Sequence, residues 1–550
     1  MKISRHFLFL CVIVLLASVS YSNIFQNGYV YDDPDFITGN KEITSFSNVP
    51  GFFVHPTFVN LYRPLRSVWY TVIYHFSGTN NFGYHLNSIV MHILACILIY
   101  LITLKITKKG TAAFIVSLLF ALHPIHTDRV TNMSAGFDIP GIILIFLAFY
   151  LYIIYSSENR KKYLLYSLGI FALALLYTEE AITLPFLVIL YELAFGKGKE
   201  LFDIKRLWGN ISPYIPYFVV VLFYFLLRTS IIGGVGRVSN YITGDYYSNI
   251  YTTIFLFTKY IYKLFLPVNL SLEYGVDVQY SLFGWKVLLS LVVLLLLIAI
   301  GLYSYKRSRN MFFGVFWFFI AMLPFTNIFP VITLIAERYL YVASFGFCFI
   351  VGMAFYKAFE MDIEKRNAKL WIYLSFVLFM LVIGCYSAIT IQRNSEWKDS
   401  ISLWTANIKT EPFSSTAFNN LGFEYLEKGE HDNAIPLFIR ALELEPTNQL
   451  AYENLGSSYY SIGDRERAKK VFIEATQVVP QSYKSFLNLG LIYWNENNYP
   501  AAIENYRKSI SIKSDFYRSH FDLARIYQEI NMSEESQKEY NIAAEMQQKN

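Results

Sequence analysis

The chain has 550 residues, of which 55% are hydrophobic and only 16% are charged. Soluble globular domains average about 25% charged residues, so this composition, with a mean hydropathy of +0.36, predicts a membrane protein. The formal net charge of +5 is small for this length, and we therefore expect no nucleic-acid partner.

About eleven apolar runs are candidate membrane spans, because each approaches the roughly 20 residues that a helix needs to cross a bilayer. A cleavable signal peptide is the alternative for the first run, since Lys2 and Arg5 precede it and small residues end it. We favour a retained span, because many more runs follow. The runs lie at 6–24, 84–105, 111–127, 136–155, 161–178, 180–196, 209–231, 283–305, 311–329, 338–358 and 368–391.

Basic residues between these runs predict the orientation of the chain, because Lys and Arg are enriched in cytoplasmic loops. All the basic clusters face the cytoplasm only if the stretch 248–268 does not cross the bilayer. Lys259 and Lys263 lie among aromatic residues in that stretch, which is typical of an interfacial helix. The N-terminus is then inside, and the loop 25–82 and everything after residue 391 are outside. The clusters lie at 105–109, 160–162, 197–206, 306–309 and 365–369.

A 34-residue repeat occupies the C-terminal part of the chain. Gly422, Gly456 and Gly490 are 34 residues apart, and a tyrosine follows each of them three residues later. This is the period of tetratricopeptide repeats, in which each repeat is a pair of helices. We expect small residues where the two helices of a repeat approach, and aromatic residues that fill the gap to the next repeat. Small and aromatic residues recur in register at Ala434, Ala468 and Ala502 and at Phe438, Phe472 and Tyr506.

These patterns predict an all-α protein with two domains. The first, 1–391, is a polytopic bundle of membrane helices, and 25–82 is its first outer loop. The second, 392–550, is a solenoid of a half repeat and about four repeats, which binds a peptide or scaffolds a partner protein.

An acidic motif opens the first outer loop, where residues 31–35 read Tyr-Asp-Asp-Pro-Asp. Adjacent acids beside a membrane are costly, because like charges repel and burial disfavours them. Asp32 and Asp33 are therefore candidate catalytic residues. The alternative is a turn or a helix cap, which Asp and Pro also favour, and the motif by itself favours the cap.

Further ionisable residues lie near the predicted outer ends of separate spans, and such groups at membrane depth are candidates for a functional site. His123 and His126 are three residues apart at a helix end, where two imidazoles could bind a metal. No third ligand is specified by the spacing, so a divalent metal is not predicted. The full set is Arg63, Arg66, His85, His92, His123, His126, Asp128, Arg129, Asp138, Glu179, Glu180, Glu337 and Arg338.

The order of these motifs resembles the transmembrane and tetratricopeptide repeat-containing O-mannosyltransferases of the GT-C superfamily. The shared segments are the acid pair, Tyr-Arg-Pro-Leu at 62–65, His-Pro-x-His-Thr-acid at 123–128, Glu-x-x-Ile-Thr at 179–183 and Glu-Arg-Tyr-Leu-Tyr at 337–341. The chain departs from the family at Thr178, where the family has Lys. It also departs at 135–138, where Ala-Gly-Phe-Asp replaces Gly-Arg-x-acid.

The resemblance implies a GT-C-type fold and a glycosyltransferase that moves a mannose-like sugar from a polyprenyl-phosphate carrier to an acceptor hydroxyl, with inversion. Asp32 or Asp33 would be the general base, with Asp32 preferred. Arg338 would bind the donor phosphate, with Arg63 as a second candidate. The residues that would orient the substrate are Glu179, Asp138, His123, His126 and Glu337.

The expected partners are the lipid-linked sugar donor, membrane lipids and an acceptor protein or peptide held by the repeats. No cofactor is expected beyond the donor itself. The array would be periplasmic in a bacterium and lumenal, in the endoplasmic reticulum, in a eukaryote. Two alternatives stay open: the same fold glycosylating a lipid or polysaccharide, and a non-enzymatic membrane-anchored scaffold.

Overall fold

The computed structural model describes residues 5–57, 61–196, 211–233, 241–328, 333–361 and 368–549. The predicted basic clusters at 197–206 and 365–366 lie outside the described residues. The chain divides into two compact units, Met1–Leu403 and Trp404–Asn550. Within the described ranges both units are built from helices, and the one β contact is an isolated bridge between Thr57 and Leu61. This confirms the predicted all-α class.

The first unit is a bundle of apolar helices joined by short turns. Many of its large hydrophobic side chains are exposed, and Phe223 is 67% and Leu289 57% exposed. Such an apolar exterior fits a hydrocarbon surrounding rather than water. The helices are Arg5–Tyr21, Pro64–Ser77, Asn81–Thr107, Gly110–Leu122, Thr127–Val130, Met133–Gly136, Ile139–Glu158, Lys161–Leu175, Leu184–Phe195, Ile215–Ile232, Tyr246–Phe265, Trp285–Ser304, Arg309–Ala321, Leu340–Phe359, Ala368–Glu396 and Ser400–Thr410.

Seven of the described helices are long and apolar enough to cross a membrane, and the number is eight if the bent pair Gly110–Leu122 and Pro124–Val130 is one span. The predicted runs at 161–178, 180–196 and 311–329 correspond to helices of 15, 12 and 13 residues. They are shorter than predicted because 3-10 turns, such as Glu179–Thr183, interrupt them. The number of about eleven spans therefore stays a prediction.

The helix Tyr246–Phe265 contains most of the stretch predicted to lie along the membrane surface. It is not among the helices apolar enough to span. The Lys263 ammonium donates to the backbone carbonyl of Val268 at 2.9 Å and to that of Asn269, and it lies 5.3 Å from the centre of the Tyr274 ring. This cation therefore has partners in the segment that follows the helix.

Helix breaks bring polar segments together at one end of the bundle. Pro124 begins a 3-10 turn that bends the chain by 52°, because proline removes a backbone donor and fixes φ. Short turns also occur at Pro34–Thr38, Glu179–Thr183 and Glu337–Tyr339. Of the candidate site residues, His126, Glu179, Glu337 and Arg338 lie in these turns, and Asp33 directly precedes the turn Pro34–Thr38.

The second unit is a row of helical hairpins, and in three of the four a glycine meets an aromatic ring of the same repeat. A Cβ on Gly456 would lie 2.4 Å from the Phe472 ring, and the same pairing joins Gly422 to Phe438. The small residues therefore lie where predicted. Phe438 and Phe472 pack on the glycine of their own repeat and also belong to one buried cluster with Leu455 and Leu489 of the following repeats. The helices are Ser415–Glu427, His431–Leu444, Gln449–Ser461, Arg465–Val478, Tyr483–Asn495, Tyr499–Ile512, Tyr517–Glu529 and Ser533–Lys549.

The first helix of three repeats has a side-chain cap in the same register. Ser414, Asn448 and Ser482 each accept a hydrogen bond from the backbone N–H three residues later. Such caps satisfy an N–H that has no partner inside the helix. The 34-residue period thus extends to the turns between repeats.

Candidate active site

Asp33 is the buried member of the acid pair, with 0% of its surface exposed. Its carboxylate accepts hydrogen bonds from the backbone N–H of Ser134 at 2.7 Å and from that of Val30 at 3.2 Å. Burial raises the pKa of the Asp33 carboxyl to about 7, although these N–H donors oppose the shift. Asp33 therefore joins the first outer loop to the helix Met133–Gly136.

Asp32 is only partly buried, and its charge interacts with the guanidinium of Arg338. Burial raises the pKa of the Asp32 carboxyl, while Arg338 and Arg66 counteract the rise. Burial also raises the pKa of the neighbouring Tyr31, against the opposing charge of Arg338. Of the two acids, Asp32 is thus the one that a substrate can reach, beside a cation.

Asp128 fixes the position of Arg338 through two hydrogen bonds. The Asp128 carboxylate accepts from the Arg338 backbone N–H at 3.1 Å and from its guanidinium at 3.4 Å. The Asp128 side chain is fully buried, whereas 19% of the Arg338 side chain is exposed. This arrangement fixes the backbone of Arg338 and leaves part of its guanidinium accessible for a phosphate.

Asp138 is the centre of a group of arginines. Arg63, Arg66 and Arg129 all place a guanidinium nitrogen within 3.2 Å of its carboxylate. The sequence departs from the family pattern two residues before Asp138, where Gly136 occupies the position of the family's arginine. The structure supplies arginines from three other positions instead, because the first outer loop and the 124–130 turn fold against this segment.

Glu179 and Glu180 face different arginines. Glu179 accepts from Arg63 Nε at 2.6 Å, and 28% of its side chain is exposed. Glu180 accepts from Arg129 at 2.5 Å and is buried. Burial raises the pKa of Glu180, while the Arg129 charge opposes the rise. Glu179 is therefore the member of this pair that can contact a substrate.

Glu337 lies beside Arg338 in the sequence but is buried among a different set of groups. Its carboxylate accepts from the Tyr274 hydroxyl and from the Ser271 backbone N–H, both at 2.5 Å, and Arg393 lies 3.9 Å away. Because 2% of its surface is exposed, this placement favours a role in anchoring Arg338. The predicted role of Glu337 in orienting the substrate stays a prediction.

The two histidines of the His-Pro-x-His turn are fully buried. His123 Nε2 pairs with the carbonyl of Leu264 at 3.0 Å, and its Nδ1 accepts from the backbone N–H of Ile125. His126 Nε2 pairs with the Ser344 hydroxyl at 2.8 Å. These contacts favour a structural role, and the predicted orienting role stays a prediction. Within the described ranges no three His, Cys, Asp or Glu side chains are grouped to hold a metal ion.

Sequence reasoning singled out Asp128 and Arg129 but gave them no role in the site, and it did not identify Arg393 or Tyr274. Arg129 bridges Asp138 and Glu180 with only 2% of its side chain exposed. A signal existed for Arg393, which follows the apolar run 368–391 and is an ionisable residue at the end of a span. No local pattern pointed to Tyr274, which lies in a loop.

Comparisons with known proteins agree with this organisation. The family model described as dolichyl-phosphate-mannose-protein mannosyltransferase matches residues 63–227, which include Arg63, Asp138 and Glu179. Tetratricopeptide models match 415–448 and 453–515. Among curated proteins, a protein O-mannosyl-transferase of Caenorhabditis elegans is 26% identical over 75% of this chain and 59% of its own length. Protein O-mannosyl-transferase TMTC3 of Homo sapiens is 24% identical over 77% of this chain and 50% of its own length.

The chain is similar to the TMTC-type protein O-mannosyl-transferases over about three quarters of its length. The matches of a mannosyltransferase model followed by tetratricopeptide models agree with the predicted order of a membrane bundle and a repeat array, and the protein is a multi-pass membrane protein. The chain spans about half to three fifths of the length of these curated relatives. Among solved structures, a crystal structure of MamA is 27% identical over 27% of this chain and 87% of that chain, with a TM-score of 0.25.

Proposed function

We propose that this TMTC-like protein transfers a mannose-like sugar from a polyprenyl-phosphate carrier to a hydroxyl of an acceptor protein, with inversion at the anomeric carbon. The observation that carries the proposal is that the carboxyl of Asp32 is partly exposed and near enough to the guanidinium of Arg338 for their charges to interact. A carboxylate base and a phosphate-binding cation are the two groups that such a displacement needs.

In the reaction, Asp32 takes the proton from the acceptor hydroxyl as its oxygen attacks the anomeric carbon. The bond from that carbon to the phosphate oxygen breaks at the same time, and the carrier phosphate leaves with the bonding electrons. Arg338 stabilises the charge of the leaving phosphate, because a guanidinium can bind two phosphate oxygens at once. A base whose pKa is raised toward the working pH is a better proton acceptor.

Arg63 is the second candidate for the donor phosphate, since 20% of its side chain is exposed. Glu179 and Asp138 hold it in place through ion pairs of 2.6 and 3.1 Å. Desolvation lowers the pKa of the Arg63 guanidinium. The negative charge of Glu179 is the largest opposing effect, and the net result is a raised pKa. Arg63 is therefore a fixed cation at the edge of the site, and the exposed part of the Glu179 side chain would orient a sugar hydroxyl.

The tetratricopeptide array would recruit the acceptor protein, because helical repeats form extended binding surfaces. We propose that the array faces the same side of the membrane as the site, which is the periplasm in a bacterium or the lumen of the endoplasmic reticulum in a eukaryote.

The deciding experiment is transfer by the purified protein in liposomes that contain polyprenyl-phosphate-mannose. Three acceptors are offered separately: a Ser- and Thr-rich protein, a glycolipid and a polysaccharide. We expect sugar on the protein only, and we expect Asp32→Asn to lower the rate by about 10² to 10⁴, because an amide cannot accept the proton.

The matched control is Asp35→Asn, which changes an exposed acid of the same loop and should transfer at close to the wild-type rate. Sugar found on the glycolipid or the polysaccharide alone would replace the proposal with that acceptor class. No transfer to any acceptor, by protein that is folded and binds the carrier, would favour the scaffold.

A further inference from the structure

The helix Ile215–Ile232 carries one charged residue, Arg228, in an otherwise apolar sequence. Most of its surface is apolar and exposed, with Leu222 at 57% and Phe223 at 67%. A guanidinium at membrane depth is costly unless it meets polar or anionic groups. Arg228 is only 9% exposed, so it points toward the protein and not toward the lipid.

One narrow face of this helix is buried. Tyr217, Tyr224 and Arg228 are its buried residues, and their spacing of seven and four places them on one side of a helix. Tyr217 has a partner, because its hydroxyl lies 2.6 Å from that of Ser167. The Tyr224 hydroxyl is buried and has no hydrogen-bond partner among the described residues.

This buried face borders the candidate active site. The Tyr224 hydroxyl interacts electrostatically with Glu179, with Arg228 and with Arg63. Arg63 in turn pairs with Glu179 at 2.6 Å. A buried phenol that has no hydrogen-bond partner in the described part of the chain, and that feels the charges of Arg228 and Arg63, is placed to donate to an anion, because a buried donor left unsatisfied costs free energy.

We propose that Tyr224 and Arg228, on the protein-facing side of the helix Ile215–Ile232, form part of the binding site for the phosphate of the carrier. The inference rests on the proposed function and adds residues to its donor site. The guanidinium of Arg228 would bind two phosphate oxygens and the Tyr224 hydroxyl would donate to one of them. The exposed apolar side chains of the same helix would contact the isoprenoid chain. The carrier has one anionic phosphate on a long apolar chain, and the helix has one cationic residue, Arg228, among lipid-exposed apolar residues.

The test measures binding of sugar-free polyprenyl phosphate, and so it does not depend on transfer. The full chain is placed in phosphatidylcholine nanodiscs and the lipid is titrated, with native mass spectrometry as the readout. We expect Arg228→Gln to weaken binding at least about tenfold, as loss of a charged hydrogen bond should. Tyr224→Phe should weaken binding several-fold. The affinity of Arg228→Lys should lie between those of the wild type and Arg228→Gln, because lysine keeps the charge and loses the two-point contact.

Tyr217→Phe is the matched control, because it removes a hydroxyl from the same helix face that already has a partner. It should bind the carrier as the wild type does. Wild-type affinity in both Arg228→Gln and Tyr224→Phe would overturn the proposal. So would equal competition by phosphatidylglycerol or by inorganic phosphate, since the site would then not select an isoprenoid carrier.

If Arg228→Gln fails to fold in a thermal-unfolding assay, Tyr224→Phe decides, because it removes one buried atom that makes no hydrogen bond to a described residue. Failure of the proposed function gives a different result. In that case the wild type binds polyprenyl phosphate through Arg228 but transfers sugar to none of the acceptors.

Discussion

The carboxylate of Asp33 accepts a hydrogen bond of 2.7 Å from the backbone N–H of Ser134, 101 residues further along the chain. Its other oxygen accepts from the N–H of Val30. The two contacts hold the loop that carries Asp32 against the helix Met133–Gly136. The two adjacent acids therefore have different roles: Asp33 anchors the loop, and Asp32 is the candidate base.

This division predicts that Asp33→Asn weakens the fold. Asparagine has one acceptor oxygen, so one of the two N–H groups would face an amide NH₂ instead. A buried donor without an acceptor costs about 1–3 kcal/mol. Thermal unfolding in detergent should therefore show a lower midpoint than for the wild type. If Asp33→Asn keeps the wild-type midpoint and still loses all transfer, Asp33 and not Asp32 is the base.

A second prediction concerns pH. Burial raises the pKa of Asp32 above 3.8, and a base works only when it is deprotonated. The rate of transfer should therefore increase as pH rises through this pKa and be lost below it. This acidic limb of the pH profile should lie at a higher pH than the pKa of an ordinary aspartate. Arg338 lowers the pKa of Asp32, so Arg338→Gln should move the limb to higher pH. Arg338→Lys keeps the charge and should leave the limb near its wild-type position.

The measurement is the pH profile of kcat/KM at saturating carrier. An acidic limb at the same pH in Arg338→Gln and in the wild type would show that the two charges do not interact. The assignment of Asp32 as the titrating base would then fail.

Arg129 provides a third prediction, about stability. It is buried and bridges Asp138 and Glu180. Removing one partner of a buried ion pair costs about 3–5 kcal/mol, because the other charges stay buried without compensation. We expect Arg129→Gln to lower the yield of folded protein and the unfolding midpoint sharply. Arg160→Gln changes a side chain that is 62% exposed and should leave both unchanged.

The fourth prediction concerns sidedness, which the basic clusters imply. Lys306 and Lys409 are both exposed, and they are predicted to lie on opposite sides of the membrane. Cys11 and Cys385 are exposed free thiols, so both are first changed to serine. A membrane-impermeant maleimide added outside should then label Lys409→Cys and spare Lys306→Cys. Equal labelling of both before lysis would contradict the orientation.

The sequence by itself determined the features that depend on local periodicity. Apolar runs predicted the membrane bundle, because a span is defined by the composition of one continuous segment. The 34-residue period predicted the repeat array, because each glycine meets an aromatic ring of its own hairpin. The acid pair, Arg63, Asp138, Glu179 and Arg338 were also found from the sequence, since charges stand out in apolar surroundings.

Only the tertiary structure decided which of these charges face one another. Asp128 pairs with Arg338 across 210 residues, and Glu337 is buried against Tyr274 although it adjoins Arg338 in the sequence. The separate burial of Asp32 and Asp33 has the same origin. The sequence shows only that Asp32 and Asp33 are adjacent. Which of them is buried depends on backbone N–H groups that other segments bring to it, and those contacts exist only after the helices have packed.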